Sequence, residues 1–171
     1  PAFGIPLFGT MAHSFVQAHD SEIAAFEHFL DSHRGSIVLL IDTYDTVAAA
    51  HRVAELAKRR PDKTISAVRL DSGDMTALSK EVRVILDQAG LHEVQIVASG
   101  SFDEDRIAAA VRGGACIDAF GVGTKMGVAA DMPYLDMAYK LVQYDGRPVM
   151  KLSPGKVTLV GQKQVWRRTV D

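Results

Sequence analysis

The sequence predicts an α/β fold built on a parallel sheet. Five short apolar runs each stop abruptly in polar or glycine residues: "FGIPLFGT", "SIVLLIDTYD", "ISAVRLDSGD", "VQIVASGS" and "CIDAFGVGT". Helical stripes fill the intervals between them. The run ends, counted from Asp42 to Asp71 to Ser99 to Gly121, recur at roughly 20–30 residues, the size of a βα unit. Strands alternating with helices imply parallel pairing, in a (β/α) barrel or a doubly wound sheet. Both architectures gather ligands at the carboxyl ends of the strands.

Taken in order, the first strand is expected at 3–10. The second, from Ile37 to Ile41, is continuously apolar, as in a strand buried on both faces. Val47, Ala50, Ala54 and Ala57 then follow helical spacing until Pro61. Leu78, Val82, Ile85, Leu86 and Ala89 form a second stripe, stopped by Gly90. Ser101 followed by Glu104 fits a capping box ahead of Ile107, Ala110 and Val111. Only about five βα units are visible, so a closed barrel needs strands from outside this sequence. Past Pro133 the pattern turns β-rich, and Asp145–Gly146 between two such runs signals a hairpin. A boundary falls near 133–140, dividing residues 1–135, the partial barrel, from 136–171, a small β-rich segment.

Composition narrows the class. Of 171 residues, 47% are apolar and 23% charged, the balance of a globular chain. Nineteen Lys and Arg against 21 Asp and Glu leave a net charge of −2, so no bulk field favours nucleic acid or an anionic membrane. A single cysteine, Cys116 in "GGACIDAF", excludes an internal disulfide and reads as a buried structural thiol. No apolar run approaches the ~20 residues of a membrane span, and with no leader visible the expected location is the cytoplasm. The sequence opens at Pro1, without Met, directly in a strand-like run, which suggests a piece of a longer protein.

The polar clusters sit at the predicted strand ends. Gly121 and Gly123 before Thr124, and Ser99–Gly100–Ser101, are loops whose backbone N–H groups can approach an anion. Arg69 and Asp71 share a strand face, with Asp74 in the turn beyond. Arg grips carboxylates in a fork, and Asp accepts from sugar hydroxyls. In "DTYD", Asp45 is the expected helix cap, which leaves Asp42 to orient a histidine and free its other nitrogen for attack. The candidate is His13, expected just after the first strand; His19 reads as structural or supporting. His28, His33, His51 and His92 belong to helices or their flanks, and no Cys/His spacing suits zinc.

Together, "GTMAHSFVQAH", "LIDTYDT", "RLDSGD", "FGVGTKM", "YKLVQYDGRPVMKLS" and "GQKQVWR" closely resemble nicotinate phosphoribosyltransferase, in that family's order and over nearly the whole sequence. The resemblance favours the barrel, an irregular (β/α) barrel of the type II phosphoribosyltransferase kind. It implies conversion of nicotinate and phosphoribosyl pyrophosphate to nicotinate mononucleotide and pyrophosphate in NAD salvage, a ligase-class reaction coupled to ATP through a phosphohistidine. It places the phosphohistidine at His13, its partner at Asp42, and the pyridine and ribose contacts at Arg69 and Asp71. Ser99, Gly100, Gly121, Gly123 and Thr124 match phosphate-loop positions. Lys151, Ser153 and Lys156 in "KLSPGK" are expected to approach phosphates. Mg2+ is expected to accompany phosphoribosyl pyrophosphate and ATP. Family members are much longer. A homodimer, or assembly with the missing N-terminal portion, is therefore expected, with residues 136–171 packing against that portion; the isolated chain is expected to risk inactivity. The runner-up is the nicotinamide-using relative, and a different class is a non-catalytic phosphate-binding or assembly subunit.

Overall fold

In a computed structural model, the structure describes residues 3–5, 9–129, 135 and 137–168. Two helices come first, α1 (His13–Gln17) and α2 (Glu22–Ser32). The βα rhythm follows: β1 (Ile37–Leu40), α3 (Thr46–Arg59), β2 (Ile65–Leu70), α4 (Met75–Gln88), β3 (Gln95–Ser99), α5 (Glu104–Arg112) and β4 (Ala119–Gly121). A single turn, α6 (Thr124–Gly127), leads to a hairpin of β5 (Gln143–Tyr144) and β6 (Arg147–Pro148).

The strands β1 to β4 form one sheet in sequential order, every neighbouring pair parallel. No reversal of strand order occurs among the described strands, as a doubly wound sheet would require at its switch point. The continuously apolar β1 is buried as predicted: Ile37, Leu39, Leu40 and Ile41 are all inaccessible. They pack with Phe26 and Leu30 of α2, Val53 and Leu56 of α3, Val68 and Leu70 of β2, Leu86 of α4 and Ile96 of β3 in one core.

Side-chain caps start the longer helices. Asp45 accepts from Ala48 N at 2.8 Å, as its place in "DTYD" predicts, and Asp74 accepts from Thr76 N and Ala77 N. Each satisfies amides the helix cannot pair internally, worth about 1 kcal/mol. The hairpin is also where Asp145–Gly146 put it. Both residues take positive φ (46° and 72°), the backbone a two-residue type I′ turn needs.

Three expectations need correction. The first strand is absent from the described parts of 3–10, and residues 6–8 lie outside the described residues. Gly4 has φ of 64°, and Pro6 lacks an N–H, so an extended ladder is a poor fit there. Among the described residues His13 follows no strand, and it opens α1 instead. Ser101 is not a helix cap: Gly100 and Ser101 both take positive φ, the chain turns two residues further, and Asp103 caps α5 through Arg106 N at 2.9 Å. Cys116 is half-buried rather than buried, a free thiol whose backbone N–H donates to Ser79 Oγ. Of the proposed boundary at 133–140, residues 133, 134 and 136 lie outside the described residues. No described helix is long and apolar enough to cross a membrane.

Candidate active site

The register of the sheet brings the strand ends level. Leu40 pairs with Arg69, and Arg69 with Val97, while Ser99 pairs with Gly121. Two residues beyond the first of these pairs stand Asp42 and Asp71, on adjacent loops. Parallel strands in sequential order thus set two carboxylates side by side, although 29 positions separate them in sequence.

His13 faces both. Its Nε2 lies 3.7 Å from Asp42 Oδ1 and 3.7 Å from Asp71 Oδ2, too long for direct hydrogen bonds. Two shorter contacts hold the ring: Nδ1 is 3.0 Å from Thr43 Oγ1, and Nε2 is 2.7 Å from Lys151 Nζ. Asp42 is fully buried. Its Oδ2 accepts from Lys151 Nζ at 3.0 Å and from Ser72 Oγ, and its Oδ1 has no hydrogen-bond partner among the described residues. Asp71 accepts from Ser99 Oγ at 2.7 Å and from Lys156 Nζ at 2.9 Å. Burial alone would raise the Asp71 carboxyl, but the facing His13, Ser99 and Lys156 outweigh it and hold the group far below the usual carboxylate range. Burial pushes the Lys151 ammonium down, opposed by the charge of Asp42.

The two lysines arrive from the far end of the chain. The stretch around Lys151 is tied to the β1 loop by Leu152 N donating to Thr43 O at 3.0 Å and by Ser153 Oγ donating to Asp42 O. Lys156 also donates to the backbone oxygen of Asp71. Gly100 makes this approach possible. Its φ is 101°, and a Cβ there would meet Asp71 O at 2.5 Å and Lys156 Nζ at 3.2 Å. Cavities open on both sides of the cluster. One of about 190 Å³ lies against His13, Gln17, Lys140 and Lys151. Another of about 250 Å³ lies against Asp71, Gly100, Arg106 and Lys156.

His13, Asp42 and Asp71 present one donor atom each within 4.8 Å of one another, a spacing that invites a metal. The chemistry of the set does not fit a resident one. Lys151 already donates to His13 and Asp42, and Lys156 to Asp71, so a divalent ion among these donors would face two ammonium groups.

The chain matches no protein-family model. It is 56% identical to the nicotinate phosphoribosyltransferase of Mycobacterium tuberculosis (strain H37Rv), across 97% of this chain and 36% of that protein. It is 43% identical to the Bacillus subtilis nicotinate phosphoribosyltransferase, across 96% of this chain and 35% of the relative. The chain matches a segment of the nicotinate phosphoribosyltransferases. It spans a little over a third of the length of these relatives. The crystal structure of nicotinate phosphoribosyltransferase from Vibrio cholerae shares the fold, with a TM-score of 0.75 at 24% identity, over 92% of this chain and 42% of that one. The fold is thus α/β with a parallel sheet, similar to that nicotinate phosphoribosyltransferase structure.

Against this background the predicted residues divide. His13, Asp42, Asp71, Ser99 and Lys151 meet in one cluster, with Gly100 beside it. Arg69 stands apart from them: its Nη1 donates to Thr10 Oγ1 in the "GT" pair, and its Nε is buried with no partner among the described residues. Gly121 packs against Ser99, where a Cβ would lie 3.2 Å from the serine Cβ. Gly123 and Thr124 open the one-turn α6, and no hydrogen bond among the described residues joins them to the cluster. Sequence reasoning assigned no role to Thr43 and Ser72, which hold His13 and Asp42. Both lie inside motifs already singled out, "DTYD" and "DSGD". The signal was a hydroxyl directly after each strand-end aspartate.

Proposed function

We propose that this chain carries the catalytic histidine face of a nicotinate phosphoribosyltransferase. The observation that carries the reading is the meeting of His13, Asp42 and Asp71 with two lysines at the carboxyl end of a parallel sheet. Relatives bearing that name supply the substrate, nicotinate. Phosphoribosyl pyrophosphate supplies the sugar: the pyridine nitrogen attacks its anomeric carbon, pyrophosphate leaves, and positive character develops on the ribose. Positioning and fixed charge carry such a displacement. Lys151 and Lys156 are placed to receive the negative charge of phosphates. Asp71 and Arg69 are assigned to ribose and pyridine, and Gly100, Gly121, Gly123 and Thr124 to the phosphates. Magnesium enters with phosphoribosyl pyrophosphate and ATP as part of the substrate. ATP hydrolysis is coupled through phosphorylation of His13, which alters the charge beside the leaving group.

The sequential all-parallel sheet supports a partial irregular barrel within residues 1–135. Residues 136–171 then pack on a further part of the protein, or on a second copy that completes a cytoplasmic homodimer. The deciding experiment uses the full chain, with the remainder of the protein restored as in the longer relatives. Incubation with γ-labelled ATP gives an acid-labile label on the wild type and none on His13→Ala. With phosphoribosyl pyrophosphate added, nicotinate yields mononucleotide. Turnover of nicotinamide in its place would move the reading to the nicotinamide-using enzyme, and phosphate binding without either product would leave a non-catalytic binding subunit.

A further inference from the structure

Around His13 Nε2 the structure places one donor and two acceptors. Lys151 Nζ is 2.7 Å away, and a carboxylate oxygen from each of Asp42 and Asp71 stands at 3.7 Å. An ammonium can only donate and a carboxylate can only accept. The ring nitrogen facing them can therefore take either of two states, and the close contact decides which. With Lys151 in place, Nε2 must be the unprotonated nitrogen, and the ring proton sits on Nδ1. Without Lys151, two carboxylates would draw that proton onto Nε2.

The opposite side of the ring imposes no choice. Nδ1 meets the Thr43 hydroxyl at 3.0 Å, and a hydroxyl rotates to donate or accept. Selection of the tautomer falls to the Nε2 side alone, and there to a residue 138 positions away in sequence. Lys151 is well held for this task. It is 3% exposed, its ammonium is shared with Asp42 Oδ2 at 3.0 Å, and its backbone N–H donates to Thr158 Oγ1. The adjacent Leu152 and Ser153 anchor the same stretch to Thr43 and Asp42.

We propose that Lys151 is a positioning residue that selects the Nδ1–H tautomer of His13 and so keeps the Nε2 lone pair available for phosphoryl transfer. This rests on the phosphohistidine reading above. In that step the Nε2 lone pair forms a bond to the γ-phosphorus of ATP. The bond from phosphorus to the bridging oxygen breaks, and ADP leaves with its electron pair. The proton stays on Nδ1 against Thr43. Lys151, released from the lone pair it had been capping, is left beside the new phosphoryl group as its counter-charge.

The tautomer can be read directly from the ring nitrogens by two-bond proton–nitrogen correlation on the full chain labelled at histidine. Wild type and Lys151→Arg are expected to show Nδ1–H. Lys151→Met is expected to reverse to Nε2–H and to lose at least tenfold in ATP-dependent labelling of His13. Because Lys151→Met strands a buried carboxylate, the double variant Lys151→Met/Asp42→Asn provides a second test. Its former ion pair is neutral, Asp71 still faces Nε2, and the reversal is expected again. A wild-type Nε2–H tautomer, or Nδ1–H persisting in both methionine variants, overturns the proposal even if His13 is labelled by ATP. A lysine-dependent tautomer with no ATP label overturns the phosphohistidine reading instead, and with it the purpose assigned to the lone pair.

Discussion

The βα units from Ile37 to Arg112 and the segment from Met137 to Arg168 contribute to the same site in opposite ways. The first region is closely packed, within itself and against α2. Its strands bury Leu39, Leu40, Val68 and Ile96 completely, and side-chain caps start its helices. The second has few inward apolar residues, while Tyr139, Leu159, Val165 and Trp166 stand exposed, the tryptophan at 85%. It is held to the first by polar anchors: the lysines on Asp42 and Asp71, and Ser153 on Asp42 O. The lesson is a division of labour. The packed region places anionic side chains rigidly at strand ends. The loosely packed segment delivers the cations that neutralise them.

The sharpest way to break this comparison is to delete apolar volume in each region. Leu39→Ala opens a cavity between β1 and the helices covering it, and is expected to cost about 3 kcal/mol. Trp166→Ala removes a larger side chain that touches little, and is expected to change stability by less than about 0.5 kcal/mol. Thermal and denaturant unfolding of the two variants gives both numbers. Equal losses would mean that Trp166 is packed in solution, and the second region would then have a core of its own.

A pH-dependent effect arises in α2, which packs on the first region. Glu22, at the first position of α2, is 5% exposed; Oε2 meets Arg52 at 2.7 Å and Oε1 has no partner among the described residues. Burial raises its carboxyl from the ordinary 4.5 to about 7, against the lowering by Arg52 and with a smaller push from Asp45 and Asp42. Below 4.5 the group is protonated whether the chain is folded or not, and burial carries no ionic cost. Between 4.5 and about 7 the unfolded chain ionises while the folded one resists, so stability falls as pH rises through that window and levels off above it. Glu22→Gln removes the charge and keeps an acceptor for Arg52. It is expected to match wild type at pH 4 and to exceed it at pH 8 by up to roughly 3 kcal/mol. Chemical unfolding at the two pH values checks this. A pH-independent difference would show that folding leaves the Glu22 carboxyl unshifted.

What was legible in the sequence follows the same divide. The continuous apolar run of Ile37–Ile41 announced a buried strand, because burial on both faces leaves no polar alternation. Asp45 was readable as a cap and Asp42 as a site residue, since both sit at fixed offsets from that strand. The family motifs brought His13 and Lys151 into view, but not their contact. No local period encodes a meeting across 138 residues. Alternation puts Arg69 and Asp71 on one strand face, and the structure turns Arg69 to Thr10, a pairing set by where the chain enters α1 and invisible to strand alternation. Gly123 and Thr124 match a phosphate loop by glycine pattern and family resemblance, and neither says whether a loop reaches its neighbours.

The smallest effect tests whether purely local rules govern the packed region as closely as its core does. The sequence offers two oxygens ahead of α5. Ser101 stands three positions before Glu104, and Asp103 stands immediately before it. The structure gives the cap to Asp103, whose carboxylate accepts from Arg106 N at 2.9 Å, and leaves Ser101 at a φ of 58°. A side chain at positive φ is strained where glycine is not, so Ser101→Gly is expected to be neutral or to stabilise by a few tenths of a kcal/mol. Asp103→Ala strands a helix amide and removes a negative charge from the amino end of α5, at a cost of about 1 kcal/mol. The order of the two is the decisive measurement. If Ser101→Gly were the costlier change, the helix would begin two residues earlier than described. The Ser99–Gly100–Ser101 turn, which lets Lys156 approach Asp71, would then have to be drawn differently.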